Sequence, residues 1–140
     1  MYGVLFVCDG NATRSPMAEA IGRHLGPLYA PRAEFWSAGP YPTHVRPQVR
    51  LVLVESGIEP GGLRSKGIFE VPLDEVRLVV NLSRLAVLPT LPNAQSRVEW
   101  PLPDPSSAPP EDTLEAYRAT RDELLRRLPD LLRDFRPHPK

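Results

Sequence analysis

The chain has 140 residues, and 17 Lys and Arg balance 17 Asp and Glu to a formal net charge of zero. That length suits one domain, and with no net positive field neither nucleic acid nor an anionic membrane is expected as a partner. A hydrophobic fraction of 41% supports a packed core rather than disorder, and no apolar run approaches a bilayer span.

Residues 2–7, Tyr-Gly-Val-Leu-Phe-Val, are a short apolar run that reads as a strand buried on both faces. The start has neither the basic region nor the cleavage site of a secretory leader, so a cytoplasmic location is expected. Residues 8–14 are polar, contain Gly10 and Asn11, and form a loop. Ser15 as N-cap and Pro16 as first helical residue open a helix, on which Met17, Ala20, Ile21, His24, Leu25 and Leu28 recur at helical spacing. Residues 34–37 form a second strand, closed by Ala38-Gly39-Pro40. Residues 47–56 form a helix with Val49, Val52 and Leu53 inward, ending at Gly57. Residues 76–82 are a third strand centred on Val79 and Val80. A short helical turn is expected over 84–88, before Pro89, and a fourth strand over 97–100. Residues 102–110, rich in Pro and Ser, form a loop. The longest helix covers 112–134, with Leu114, Tyr117, Leu124, Leu125, Leu128 and Leu132 on or near its inner face and Pro129 bending or interrupting it. Residues 1–135 are expected to make one domain and 136–140 a flexible tail.

Alternating strands and helices specify an α/β fold around a parallel sheet. Ligands of such sheets bind beyond the carboxyl ends of the strands. The Cys8 loop leaves the first strand there and the Asp104 loop leaves the fourth, so both line one crevice.

Cys8 is the only cysteine, which excludes an internal disulfide and a cysteine-rich zinc site. It opens the run Cys8-Asp9-Gly10-Asn11-Ala12-Thr13-Arg14-Ser15. The Cys-to-Arg spacing alone is weak in a chain with 15 arginines. Its position between a strand and a helix is what gives it meaning. There the successive backbone N–H groups turn inward and make an anion nest, so residues 9–15 are expected to bind phosphate. Gly10 lets the backbone approach the ligand, and Asn11 tolerates a left-handed conformation. Arg14 offers a planar fork for two phosphate oxygens. The positive nest favours the nucleophilic thiolate form of Cys8, and the Ser15 hydroxyl is placed to donate to it. Taken alone, a cysteine after an apolar strand is an inert packing residue; Gly10, Asn11, Arg14, Ser15 and Pro16 together favour the nucleophile. Asp104, before Pro105, fits both an ordinary turn and the acid that a phosphate-ester leaving group needs. His24 reads as a packing residue on a helix face, His44 as part of a loop flanking the site, and His138 as tail.

The segment 7–20, VCDGNATRSPMAEA, resembles the signature of low-molecular-weight protein tyrosine phosphatases and the related thioredoxin-coupled arsenate reductases. Ser37-Ala38-Gly39, Gly57-Ile58 with Arg64-Ser65, and the segment 100–105, WPLPDP, resemble further motifs of that family, so the likeness spans nearly the whole chain. It implies a three-layer α/β/α sandwich with a four-stranded parallel sheet in the order 2-1-3-4. It also implies Cys8 as nucleophile, Arg14 as phosphate ligand, Asn11 as shaper of the loop, Ser15 as support for the thiolate and Asp104 as general acid. The chain also departs from the family pattern. Ser106-Ser107 follow Asp104-Pro105 where the phosphatases commonly carry Tyr. The stretches 79–89 and 99–100 look closer to the arsenate reductases, which place two resolving cysteines near Ser83 and Leu88. With Cys8 alone that internal relay cannot run, and arsenate reduction needs an external thiol.

The expected activity is hydrolysis of phosphate monoesters, on a phosphorylated protein or a small molecule, through a phosphocysteine, with no metal and no cofactor. The alternatives are an arsenate reductase drawing on an external thiol and a non-catalytic oxyanion-binding regulatory protein.

Overall fold

Six residues that are almost wholly apolar, Tyr2–Val7, form β1, the strand on which the rest is built. The computed structural model describes residues 1–84 and 88–138. After β1 come α1 (Arg14–Tyr29), β2 (Ala33–Ala38), α2 (Pro47–Glu55), β3 (Val76–Asn81), β4 (Ser96–Glu99) and α3 (Thr113–Asp134). Short 3-10 turns stand at Ile68–Glu70, Leu73–Glu75, Pro105–Ser107 and Pro110–Asp112. The expected turn over 84–88 falls on residues 85–87, outside the described residues.

The sheet order is β2-β1-β3-β4, and every neighbouring pair is parallel, as the resemblance implied. Val7 pairs with Ala38 on one side and Asn81 on the other, while Asn81 pairs with Glu99. The carboxyl ends of all four strands therefore come level, and the loops that leave them share one end of the sheet.

Side chains alternate across a strand. Val4 and Phe6 enter a core with Met17 and Ile21 of α1, Val52 and Leu53 of α2, and Tyr117, Leu124, Leu128 and Leu132 of α3. Leu5 and Val7 enter a second, smaller core on the other face with Val79, Ile68 and Val71. Burial of β1 on both faces is thus observed, with the 3-10 turns covering the second face.

Two local expectations are corrected, and of the two outcomes expected at Pro129 interruption does not occur. The helix α3 runs through Pro129 without interruption. A proline there removes one backbone bond, at a cost of about 3 kcal/mol in an isolated helix, but Leu128 and Leu132 on either side are fully packed in the core. The cation of Arg127 also lies 4.5 Å over the Trp100 ring. His24 and Leu28 do not pack inward; both are exposed, and the inner face of α1 is carried by Met17, Ala18, Ala20 and Ile21. Ser15 does not cap α1. The helix begins at Arg14 after Thr13, and the Ser15 hydroxyl is committed elsewhere. Gly57, at φ 71°, closes α2 in the left-handed region that favours glycine. At the end of the chain, His138 exchanges two hydrogen bonds with the Gln95 side chain.

Candidate active site

The loop between β1 and α1 doubles back on itself at Asn11, whose φ is 45°. Asparagine is among the few residues that accept this conformation. Both ends of its buried amide are used: Oδ1 accepts the Lys66 N–H at 2.7 Å, and Nδ2 donates to Ser15 Oγ at 2.8 Å. The other side of the loop lies against Gly39. A Cβ there would come within 2.3 Å of the Cys8 carbonyl and 2.6 Å of the Asp9 carbonyl. Any side chain at position 39 would displace the loop backbone.

This fold leaves the Cys8 sulfur, 1% exposed, as an acceptor. Ser15 Oγ accepts from Asn11 and lies 2.9 Å from Sγ, within hydrogen-bond reach of it. The Ser15 N–H donates to Sγ at 3.4 Å. The backbone N–H groups of residues 9–13 donate to no other group among the described residues. They form the set of free donors that a tetrahedral oxyanion requires.

Arg14 is 7% exposed. Its Nη1 donates to the Leu102 carbonyl at 3.1 Å and the Leu82 carbonyl at 3.4 Å, tying it to the ends of β4 and β3. Its Nη2 lies 3.7 Å from Asp104 Oδ2. Its Nε is buried with no hydrogen-bond partner among the described residues. A buried donor left unpaired is costly, and an anion in the nest would satisfy it.

Asp104 begins the 3-10 turn Pro105–Ser107, with Oδ1 accepting the Ser106 N–H at 3.0 Å and the Ser106 hydroxyl at 2.8 Å. The Thr13 hydroxyl donates to the same oxygen at 3.1 Å. Partial burial pushes this carboxyl up. The two Ser106 donors, the Arg14 charge and Thr13 outweigh it and hold the group below its usual value. The cleft between the two loops has a volume of about 460 Å³ and is lined by Asp9, Arg14, Ser83, Arg84, Leu102 and Asp104, among others.

The low molecular weight phosphotyrosine protein phosphatase model matches residues 3–138. The chain belongs to that family. Among its relatives, an arsenate reductase of Halalkalibacterium halodurans is 33% identical, over 89% of this chain and 91% of its own. A glutaredoxin arsenate reductase of Synechocystis is 31% identical, over 94% of this chain and 97% of its own. A protein-arginine-phosphatase of Geobacillus stearothermophilus is 30% identical, over 88% of each chain. Among solved structures, a low molecular weight protein tyrosine phosphatase from T. tengcongensis superposes with a TM-score of 0.78 at 26% identity, covering 96% of this chain and 100% of that one. An arsenate reductase in its phosphate-binding state gives 0.78 at 28%, covering 94% and 97%. Members of this phosphatase family are therefore enzymes of two kinds, and this chain is similar to both.

In this family member, the structure brings Cys8, Arg14, Ser15 and Asp104 to one end of the sheet, with Asn11 beneath the turn they share. The loop containing His44 does flank the nest, since Thr43 and Arg46 donate to the Gly10 and Ala12 carbonyls. His24 and His138 lie apart from it. Sequence reasoning missed a buried ion network behind the loop. Glu19, 1% exposed, accepts from the Ser37 hydroxyl and pairs with Lys66 at 3.3 Å and with Arg23. Lys66 also donates to the Arg64 carbonyl at 2.9 Å, while its backbone N–H fixes Asn11. The available signal was the choice of residue: Lys66 is one of two lysines in a chain with 15 arginines. Among the described residues no group of three or more metal-ligating side chains converges.

Proposed function

We propose that this chain hydrolyses phosphate monoesters through a phosphocysteine at Cys8. The observation that carries the reading is one cleft lined by Asp9, by Arg14 with its free Nε and by the Asp104 carboxyl, at the mouth of the loop that Cys8 opens and whose Ser15 is hydrogen-bonded to the Cys8 sulfur. Cys8 sulfur attacks phosphorus, the S–P bond forms, and the P–O bond to the alcohol breaks. Arg14 and the N–H groups of residues 9–13 hold the equatorial oxygens, where charge must be stabilised. Protonated Asp104 gives its proton to the departing oxygen. The phosphate dianion engages Arg14 and adds a like charge beside Asp104, and both effects favour the protonated carboxyl that this step needs. The carboxylate so formed then takes a proton from water as that water attacks phosphorus. The S–P bond breaks, and phosphate and Cys8 are released.

A second reading is favoured by the names of the Halalkalibacterium and Synechocystis relatives. Arsenate in the same nest would form a Cys8 adduct. The chain holds no other cysteine, so an external thiol of the glutaredoxin or glutathione class would have to attack that adduct. Arsenic would gain two electrons as the two sulfurs form a mixed disulfide.

The deciding experiment gives the purified chain an aryl phosphate, and separately arsenate with each external thiol system. Alcohol release together with a phosphoryl group trapped on Cys8 is expected, and Cys8→Ser should abolish both. Arsenite production without aryl phosphate turnover would establish the second reading instead.

A further inference from the structure

Asp9 places a carboxylate where an anion-binding loop has least use for one. It directly follows Cys8 and lines the cleft with Arg14 and Asp104. The Ser83 hydroxyl donates to its Oδ1 at 2.8 Å and holds the group on the cleft wall. No cation forms an ion pair with Asp9 among the described residues: Arg14 faces Asp104, and Arg84, on the same cleft, is not paired to it. An ionised carboxylate has only acceptors to offer, and so has a phosphate dianion. The Asp9 side chain can therefore only repel the phosphoryl group, whose ligands are the loop amides and the free Nε of Arg14. The remaining oxygen of Asp9 is complementary to a donor or cation elsewhere on the substrate.

We propose, building on the phosphatase reading, that Asp9 makes this cleft select phosphate monoesters whose leaving group carries a positive charge. The phosphoryl group occupies the nest, and the cation meets Asp9 at the wall. The repulsion that Asp9 imposes on a simple phosphate becomes discrimination against neutral esters.

Phosphocholine and its carbon isostere, in which the quaternary nitrogen is replaced by carbon, have the same shape and differ by one positive charge. Their dissociation constants would be measured by calorimetry on the full chain carrying Cys8→Ser, with Asp9 intact, with Asp9→Asn and with Asp9→Glu. With Asp9 intact, phosphocholine should bind about fivefold tighter, the size of a half-exposed ion pair. The preference should shrink with added salt, survive Asp9→Glu and vanish in Asp9→Asn. Equal binding of the two esters, an undiminished preference in Asp9→Asn, or no binding of either ester overturns the proposal. Hydrolysis of an aryl phosphate by the unsubstituted chain tests the phosphatase reading separately. Hydrolysis without charge preference would remove the role of Asp9 alone, whereas charge preference without hydrolysis would remove the phosphatase reading and leave charge selection in place.

Discussion

The Thr13 hydroxyl donates to Asp104 Oδ1 at 3.1 Å, joining the loop after β1 to the loop after β4. It is a donor to the charged form of the carboxyl and so helps to hold Asp104 low. The proton needed by a leaving group is therefore scarce in the empty cleft at neutral pH. With an alkyl phosphate, kcat/KM should rise as pH falls from about 8 to about 5, because the protonated fraction of Asp104 grows. Thr13→Val removes one of the forces lowering that carboxyl, so this limb should move to higher pH. A limb that stays in place means Thr13 does not act on the acid.

Asp104→Asn should cost about 10²–10⁴-fold with an alkyl phosphate, the range of general acid catalysis. The loss should shrink with an activated aryl phosphate, whose leaving group departs without protonation. Single-turnover phosphorylation of Cys8 is the measurement, since hydrolysis of the intermediate can mask the contrast in the steady state. Equal losses on both substrates would reduce Asp104 to a support for its turn.

Arg14→Lys keeps the charge and loses the planar fork. Turnover should fall by roughly 10²–10³-fold, as for removal of an oxyanion donor. Weaker substrate binding with turnover preserved would contradict a role in the transition state.

Two glycines of the site should behave differently. Gly39→Ala forces a Cβ to within 2.3 Å of the Cys8 carbonyl, so it should cost about 1–3 kcal/mol in denaturant unfolding and lower phosphate affinity as well. A Cβ at Gly10 meets nothing closer than 3.5 Å. Gly10→Ala should therefore leave unfolding within about 0.5 kcal/mol of the parent and act only on ligand approach. Comparable destabilisation by both would show that the loop does not rest on Gly39.

Lys66→Met strips Glu19 of one of its two cations in a buried setting. Arg23 and Ser37 remain as partners. The expected loss is therefore about 2–3 kcal/mol, at or below the lower end for breaking a buried pair. Unfolding stability indistinguishable from the parent would mean that water or Arg23 fully replaces the ammonium.

Much of the site was legible because its chemistry is continuous in sequence. Cys8 through Ser15 carry the proposed nucleophile, the turn and the fork, and the apolar run before them announces the strand that presents them. The strand order was legible only through the family resemblance, since nothing local in β3 says that it pairs with β1. The Glu19–Lys66 pair was hidden for the same reason: 47 positions separate the partners, and nothing in the 7–20 segment that holds Glu19 points to Lys66. His24 and Leu28 were misplaced because helical spacing identifies a candidate face without revealing that α1 outruns the core beneath it. Pro129 does not interrupt α3, because the packing of Leu128 and Leu132 outweighs local propensity there.

The strand that carries Cys8 is flanked on both sides, whereas β4 is an edge of four mostly exposed residues. Local opening takes less free energy at such an edge than at the middle of a sheet. Amide exchange across residues 96–99 should accordingly outpace that across 2–7. Under the proposed phosphatase chemistry, the chain would then keep Cys8, the attacking group, on the stiff side of the cleft and Asp104, the proton donor, on the yielding side. The alcohol would leave past Asp104 while the phosphoryl group stayed fastened to sulfur, and that chemistry would impose an order on the release of the two products.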